Sequence, residues 1–70
     1  MTRDKIIKSM VGEVLEEEIT DWQEIGWRIL NMYPSYWKNK SMTEDQKDDE
    51  VNRMISEITT ILDEKHNYYL

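Results

Sequence analysis

Seventy residues with a net charge of −6 and no cysteine allow one domain with a small core, built without disulfides or a thiolate metal site. That acidity opposes direct contact with nucleic acid or anionic lipid, and no apolar run has the length of a membrane span or a signal-peptide core. Gly12, Gly26 and Pro34 are the only glycines and proline, which argues against a turn-rich β fold. The absence of cysteine and of an export signal is the expectation for a cytoplasmic protein, in the host cytoplasm if its source is a virus.

Helical periodicity dominates from the first residues. At 100° per residue, Ile7, Val11, Val14, Leu15, Ile19, Trp22, Ile25, Gly26, Ile29, Leu30 and Tyr33 fall in one sector of about 160°. The stripe keeps its register through Thr20-Asp21, where neither Gly nor Pro stands, so the spacing predicts one long helix over about residues 2–33, about 45 Å in length. The competing arrangement breaks near Thr20-Asp21, where Thr20 and Gln23 have capping-box spacing, and gives a three-helix bundle.

Pro34 is expected to end the first helix, since it lacks an N–H and restricts Tyr33. The segment from Pro34 to Met42 then reads as a connection. Ser41 with Glu44, or Thr43 with Gln46, would cap a second helix over about residues 43–66. Glu44, Asp45, Asp48 and Asp49 favour the positive end of its dipole. Its apolar stripe is Val51, Met54, Ile55, Ile58, Ile61 and Leu62, extended by Tyr69.

The predicted fold class is therefore all-α: an antiparallel helical hairpin of one domain, residues 1–70. Such a hairpin buries each stripe on one side only. The shorter second helix would leave Ile6, Ile7, Met10 and Val11 uncovered, which makes them the expected self-association patch. Dimerisation into a four-helix bundle would cover it, and the chain is expected to be a homodimer.

Several residues are not needed by that fold. Trp27 lies about 140° from Trp22 on the helical wheel, outside the apolar sector. It reads either as an edge residue covering a bundle or as a binding hot spot. Tyr36 and Trp37, with Tyr33 close by, are more aromatic surface than a loop needs. They would plug the open end of the hairpin or, with Lys38 and Lys40 beside them, anchor an acidic groove on a partner. Glu13, Glu17 and Glu24 share the face opposite the stripe. Charge runs of this kind are usually solvated faces. The sharper alternative is a row of carboxylates that imitates nucleic-acid phosphates, although Arg28 interrupts the same ridge.

The lone histidine, His66, follows Asp63 at a spacing that would let both face one metal, but the other carboxylates point outward on the wheel. No metal site and no cofactor are expected. With no cysteine nucleophile, no Gly-rich phosphate loop and no base paired with a serine, the chain is not expected to be an enzyme. The reading that results is a small acidic module that binds and regulates or inhibits a partner protein through Trp27, Tyr36, Trp37, Lys38, Glu13, Glu17 and Glu24. Small size, acidity and abundant Trp and Tyr are similar to the composition of viral and mobile-element accessory proteins that disable a host protein. A nucleic-acid mimic and a structural homo-oligomeric subunit are the two alternatives.

Overall fold

Thr2 opens the first helix by accepting a hydrogen bond on its side chain from the backbone N–H of Lys5. In the computed structural model, which describes residues 2–38 and 40–70, helix α1 then runs Arg3–Glu17. It stops at Glu18, whose backbone is left-handed at φ 53° and ψ 45°. The N–H groups of Glu18 and Ile19 both donate to the carbonyl of Val14, which closes the end as a Schellman-type turn. A second helix, α2, covers Trp22–Met32, and its N-cap is Asp21, which accepts from the N–H of Gln23 at 2.8 Å.

The continuous helix expected over residues 2–33 is thus not formed, and the break falls at Thr20-Asp21, where the competing arrangement put it. The cap is Asp21 rather than Thr20. A physical reason is visible in the burial. Ile6 and Met10, which the apolar stripe omitted, are both 0% exposed. With them included, the buried residues of α1 centre about 75° away from those of α2 on a common wheel. One straight helix could not turn both sets toward one core, and the break provides the rotation. The longest dimension of the molecule is 36 Å, shorter than the unbroken helix alone would have been.

Beyond α2, the segment expected to be a plain connection contains a short helix, α3, at Pro34–Lys38. Pro34 begins this helix, at the position where its missing N–H carries no penalty. The last helix, α4, runs Glu44–His66 behind the complete capping box of Thr43 and Gln46. It ends at Asn67, again in the left-handed region at φ 51°.

Helices α1, α2 and α4 each pack against the other two, and α3 packs against α2. Their core holds Ile6, Met10, Val14, Ile25, Ile29, Met54, Ile58 and Leu62, all fully buried. Helix α2 approaches α4 closely at Gly26, where an added Cβ would meet Ile55 Cδ1 at 3.3 Å and Val51 Cγ1 at 3.6 Å. Ile6, Ile7, Met10 and Val11, expected to form a self-association patch, are between 0% and 8% exposed within the single chain. The uncovered stripe that called for a four-helix dimer does not arise, because the chain folds α2 back to supply a third helix.

Glycine at position 18 separates the two arrangements by sign. At a left-handed helix end, Glu18→Gly removes a steric cost and should stabilise the fold by about 0.5–1 kcal/mol, a few degrees in Tm. In the interior of a continuous helix the same change would destabilise by about 1 kcal/mol. Thermal unfolding of the variant reads the sign directly.

Candidate functional site

The acidic ridge is built around a cation. Arg28, on α2, reaches back to α1 and binds both oxygens of Glu17 at 2.8 Å, Glu13 at 2.9 Å and, one turn earlier on its own helix, Glu24 at 3.2 Å. The fork of the guanidinium suits the paired oxygens of Glu17. Its hydrogen bonds hold the Glu17 carboxyl below the ordinary value of 4.5, and the carboxylates in turn raise the Arg28 value further. The second oxygen of Glu13 accepts from the Tyr33 hydroxyl at 3.2 Å. Burial pushes the Tyr33 phenol above its ordinary 10, so it stays a neutral donor there.

Glu13, Glu17 and Glu24 are therefore brought together, but as ligands of one guanidinium that ties α2 to α1. Glu17 and Glu24 stay about half exposed, and the single guanidinium offsets one of the three negative charges, so the ridge is a cluster gathered on a cation rather than an uninterrupted row of carboxylates. A second tie joins Arg3 to Glu50 at 3.2 Å and to Glu57, linking α1 to α4.

The aromatic segment is likewise turned inward. Tyr33, Tyr36 and Trp37 are 7–8% exposed and belong to the core. Trp37 donates its indole N–H to the Ile29 carbonyl at 2.9 Å and meets Tyr36 edge-on, with ring centroids 4.9 Å apart. Lys40 Nζ sits 4.6 Å from the centroid of the Tyr36 ring, while Lys38 is exposed. Of the two readings of Tyr36 and Trp37, a plug or a partner anchor, their burial is that of the plug. Helix α3 folds them under the end of α2, where a large apolar area leaves water and the indole N–H finds an acceptor.

What stays outside is carried mainly by α2 and the residues after α4. Trp27 is 58% exposed, Trp22 53%, Met32 50% and Tyr69 71%. Trp27 stands on the outer face, as its wheel position implied, and its carbonyl accepts from the Asn31 side chain at 2.8 Å. The half-buried Leu30 lies between the wheel positions of Trp22 and Trp27.

Trp22 was read from the sequence as a core residue, and its exposure is the main correction to the site. It is the first residue of α2, directly after the Asp21 cap. A stripe residue in the first turn of a helix has cover on one side only, and the adjoining Asp was the available signal.

Trp22 also borders a cleft of about 380 Å³ shared with Ile55, Thr59, Asp63, Tyr68 and Tyr69. The chain returns to close it: the Tyr68 hydroxyl donates to the Ile19 carbonyl, inside the α1–α2 junction, at 2.6 Å. Tyr69, expected to extend the α4 stripe, is instead the exposed neighbour of that strap.

His66 is exposed in the last turn of α4. Among the described residues, no group of three or more His, Asp or Glu side chains is placed to hold a metal ion, and no helix is long and apolar enough to cross a membrane. Compared with known proteins, the chain matches no family model, no curated protein and no solved structure.

Two expectations follow from this division of the aromatics and acids. Trp37→Ala should cost about 3–5 kcal/mol and leave most of the chain unfolded, whereas Trp27→Ala should change stability by no more than about 0.5 kcal/mol. Urea unfolding followed by circular dichroism compares the two.

The Arg28 cluster contributes above the ordinary carboxylate value of 4.5, and its contribution is lost as pH falls through the lowered value of folded Glu17. Arg28→Met should therefore melt below the wild type at pH 7, with the gap narrowing in acid and in 1 M salt. A gap independent of both pH and salt would locate the loss in packing rather than charge.

Proposed function

We propose that the chain is a small helical interaction module that binds, and regulates or inhibits, a partner protein through the exposed flank of α2. The observation that carries this reading is Trp27, 58% exposed on a helix whose other face fills the core. An indole left in water forgoes the free energy its burial would release, and tryptophan is enriched among the residues that dominate binding at interfaces. Trp22 and Met32 are further exposed apolar side chains of the same helix, and Leu30 is half-buried.

The helix that presents Trp27 is fastened to each of the other three helices. Arg28 next to it is tied to α1, Gly26 lets α2 lie close on α4, and Trp37 is bonded to the Ile29 carbonyl. A surface held in place before binding loses less conformational entropy when it docks.

No comparable observation favours an enzyme, for which the chain supplies no cysteine and one exposed histidine. Mimicry of nucleic acid through Glu13, Glu17 and Glu24 draws no support from carboxylates gathered on Arg28. Self-association through Ile6, Ile7, Met10 and Val11 draws none from side chains that one chain already covers.

The test is capture from the native cell on immobilised chain, with the wild type, Trp27→Ala and, as a control, Asn52→Ala on the exposed face of α4. All three should be equally helical. The reading expects a partner retained by the wild type and by Asn52→Ala, with affinity for Trp27→Ala lower by at least about tenfold, the size of one interface hot spot. Equal retention by Trp27→Ala removes the proposed surface.

A further inference from the structure

The geometry points to the cleft between the start of α2 and the end of α4 as a receptor for an arginine side chain of a basic peptide segment. This names the partner chemistry of the interaction reading above and rests on it for its biological setting. Three features of the cleft converge on that ligand.

The first is its aromatic lining. Trp22 and Tyr69 both border it and are 53% and 71% exposed, so their rings are not consumed by the core. Aromatic faces attract cations through the ring quadrupole, tryptophan most strongly, and a planar guanidinium stacks on them where an ammonium cannot.

The second is a carboxylate. Asp63 lines the same cleft, and the ion pairs among the described residues engage Arg3 and Arg28 with Glu13, Glu17, Glu24, Glu50 and Glu57, leaving Asp63 uncommitted. A carboxylate beside an aromatic wall offers two oxygens to the fork of a guanidinium. Thr59 adds acceptor capacity. Its hydroxyl already donates to the Ser56 carbonyl at 2.9 Å, so what remains on that oxygen is lone pairs.

The third is the frame. The Asp21 cap sets the start of α2, and Tyr68 bonded to the Ile19 carbonyl at 2.6 Å fixes the chain beyond α4 against the α1–α2 junction. Trp22 and Asp63 are therefore held on two elements that the Tyr68 bond fastens together at the end where the cleft lies. The half-buried Ile55 forms the floor on which the methylene stem of an arginine would lie. The net charge of −6 steers a basic segment toward the protein, while the cleft sets where one of its side chains enters.

The probe is N-acetyl-arginine-amide, titrated into the folded chain and followed by the indole N–H signals of Trp22, Trp27 and Trp37 and by the backbone amides. N-acetyl-norleucine-amide serves as the uncharged comparison. The expected result is a saturable shift at the Trp22 indole and at the amides of Thr59 and Asp63, with no response at Trp37. Affinity should fall at least about fivefold in Asp63→Asn and in Trp22→Ala, and hold in Glu64→Gln, which removes the same charge from a neighbouring exposed position.

Norleucine binding as tightly as arginine would overturn the proposal in favour of a merely apolar crevice. Shifts spread over the acidic start of α4 and indifferent to Asp63→Asn would overturn it in favour of unspecific charge attraction, and no shift at all would also overturn it. These outcomes are separable from the fate of the interaction reading. A partner lost with Trp27→Ala, together with an arginine titration that gives no Asp63-dependent shift, keeps the α2 surface and discards the arginine receptor. An arginine titration that succeeds while Trp27→Ala captures as the wild type does keeps the receptor and discards the Trp27 surface.

Discussion

A left-handed residue at Glu18 is the constraint on which the rest of this molecule depends. The two bonds onto the Val14 carbonyl end α1 there, and the chain reaches Asp21 in an extended conformation before helix resumes. The turn converts one stretch of apolar sequence into two helices whose buried faces differ in direction. With α4 they close a core around Ile25, Ile29, Met54 and Ile58. A chain this short has little apolar area to spare. A third helical wall lets it cover Ile6 and Met10 from within its own length. A residue that carries a Cβ is strained in that conformation, by about 1–2 kcal/mol. The compensation is nearby: Arg28 ties the two helices across the turn, and Tyr68 bonds the Ile19 carbonyl inside it.

That turn was also the least legible part of the fold. The all-α class, the start of α4 at its Thr43–Gln46 capping box, and the burial of Val51, Met54, Ile58 and Leu62 could be read from spacing alone. The break was legible only as the competing arrangement near Thr20-Asp21, because the residue at the left-handed position is glutamate and the usual glycine signal is missing. Phase continuity was a poor guide for a geometric reason. A sector of about 160° is wide enough to hold two stripes whose centres differ by about 75°, so the difference was visible only through Ile6 and Met10. The same error moved two assignments of the site. Trp22 was placed in the core because it lay on the supposed continuous stripe. The patch at Ile6, Ile7, Met10 and Val11 looked uncovered because α2 was expected to run on as part of one long helix.

Charge illustrates a different limit of sequence reading. Glu13, Glu17 and Glu24 were correctly seen to share a region, and Arg28 was correctly seen to interrupt it. The helical wheel shows angles but not the fold back between α1 and α2 that wraps the carboxylates around the guanidinium. Like charges that would repel along an isolated helix are instead shared by one cation that ties α2 to α1, beside the apolar core the two helices have in common. Trp37 followed the same logic. Its place near a proline looked like a loop, yet Pro34 begins a helical turn that carries the indole to the Ile29 carbonyl.

Fold and candidate surface are therefore consequences of the same few fastenings. The tie from Arg28, the close approach at Gly26 and the bond from Trp37 all bear on α2, the helix with the most exposed apolar surface. Exposed tryptophans on a loose helix would be a liability, since a mobile apolar segment invites unspecific association. On a helix held from three sides they stand at set positions: Trp27 on the open face, and Trp22 at the mouth of a cleft that also holds Asp63. The turn at Glu18 contributes to this as well. In an unbroken helix Trp22 would stand seven residues short of Ile29 on the core-facing stripe, at nearly the same angle. Because helix restarts at Asp21, it becomes instead the first residue of α2, with one side open. The strained residue that lets the chain enclose its core is thus also what brings an indole to the surface beside a carboxylate.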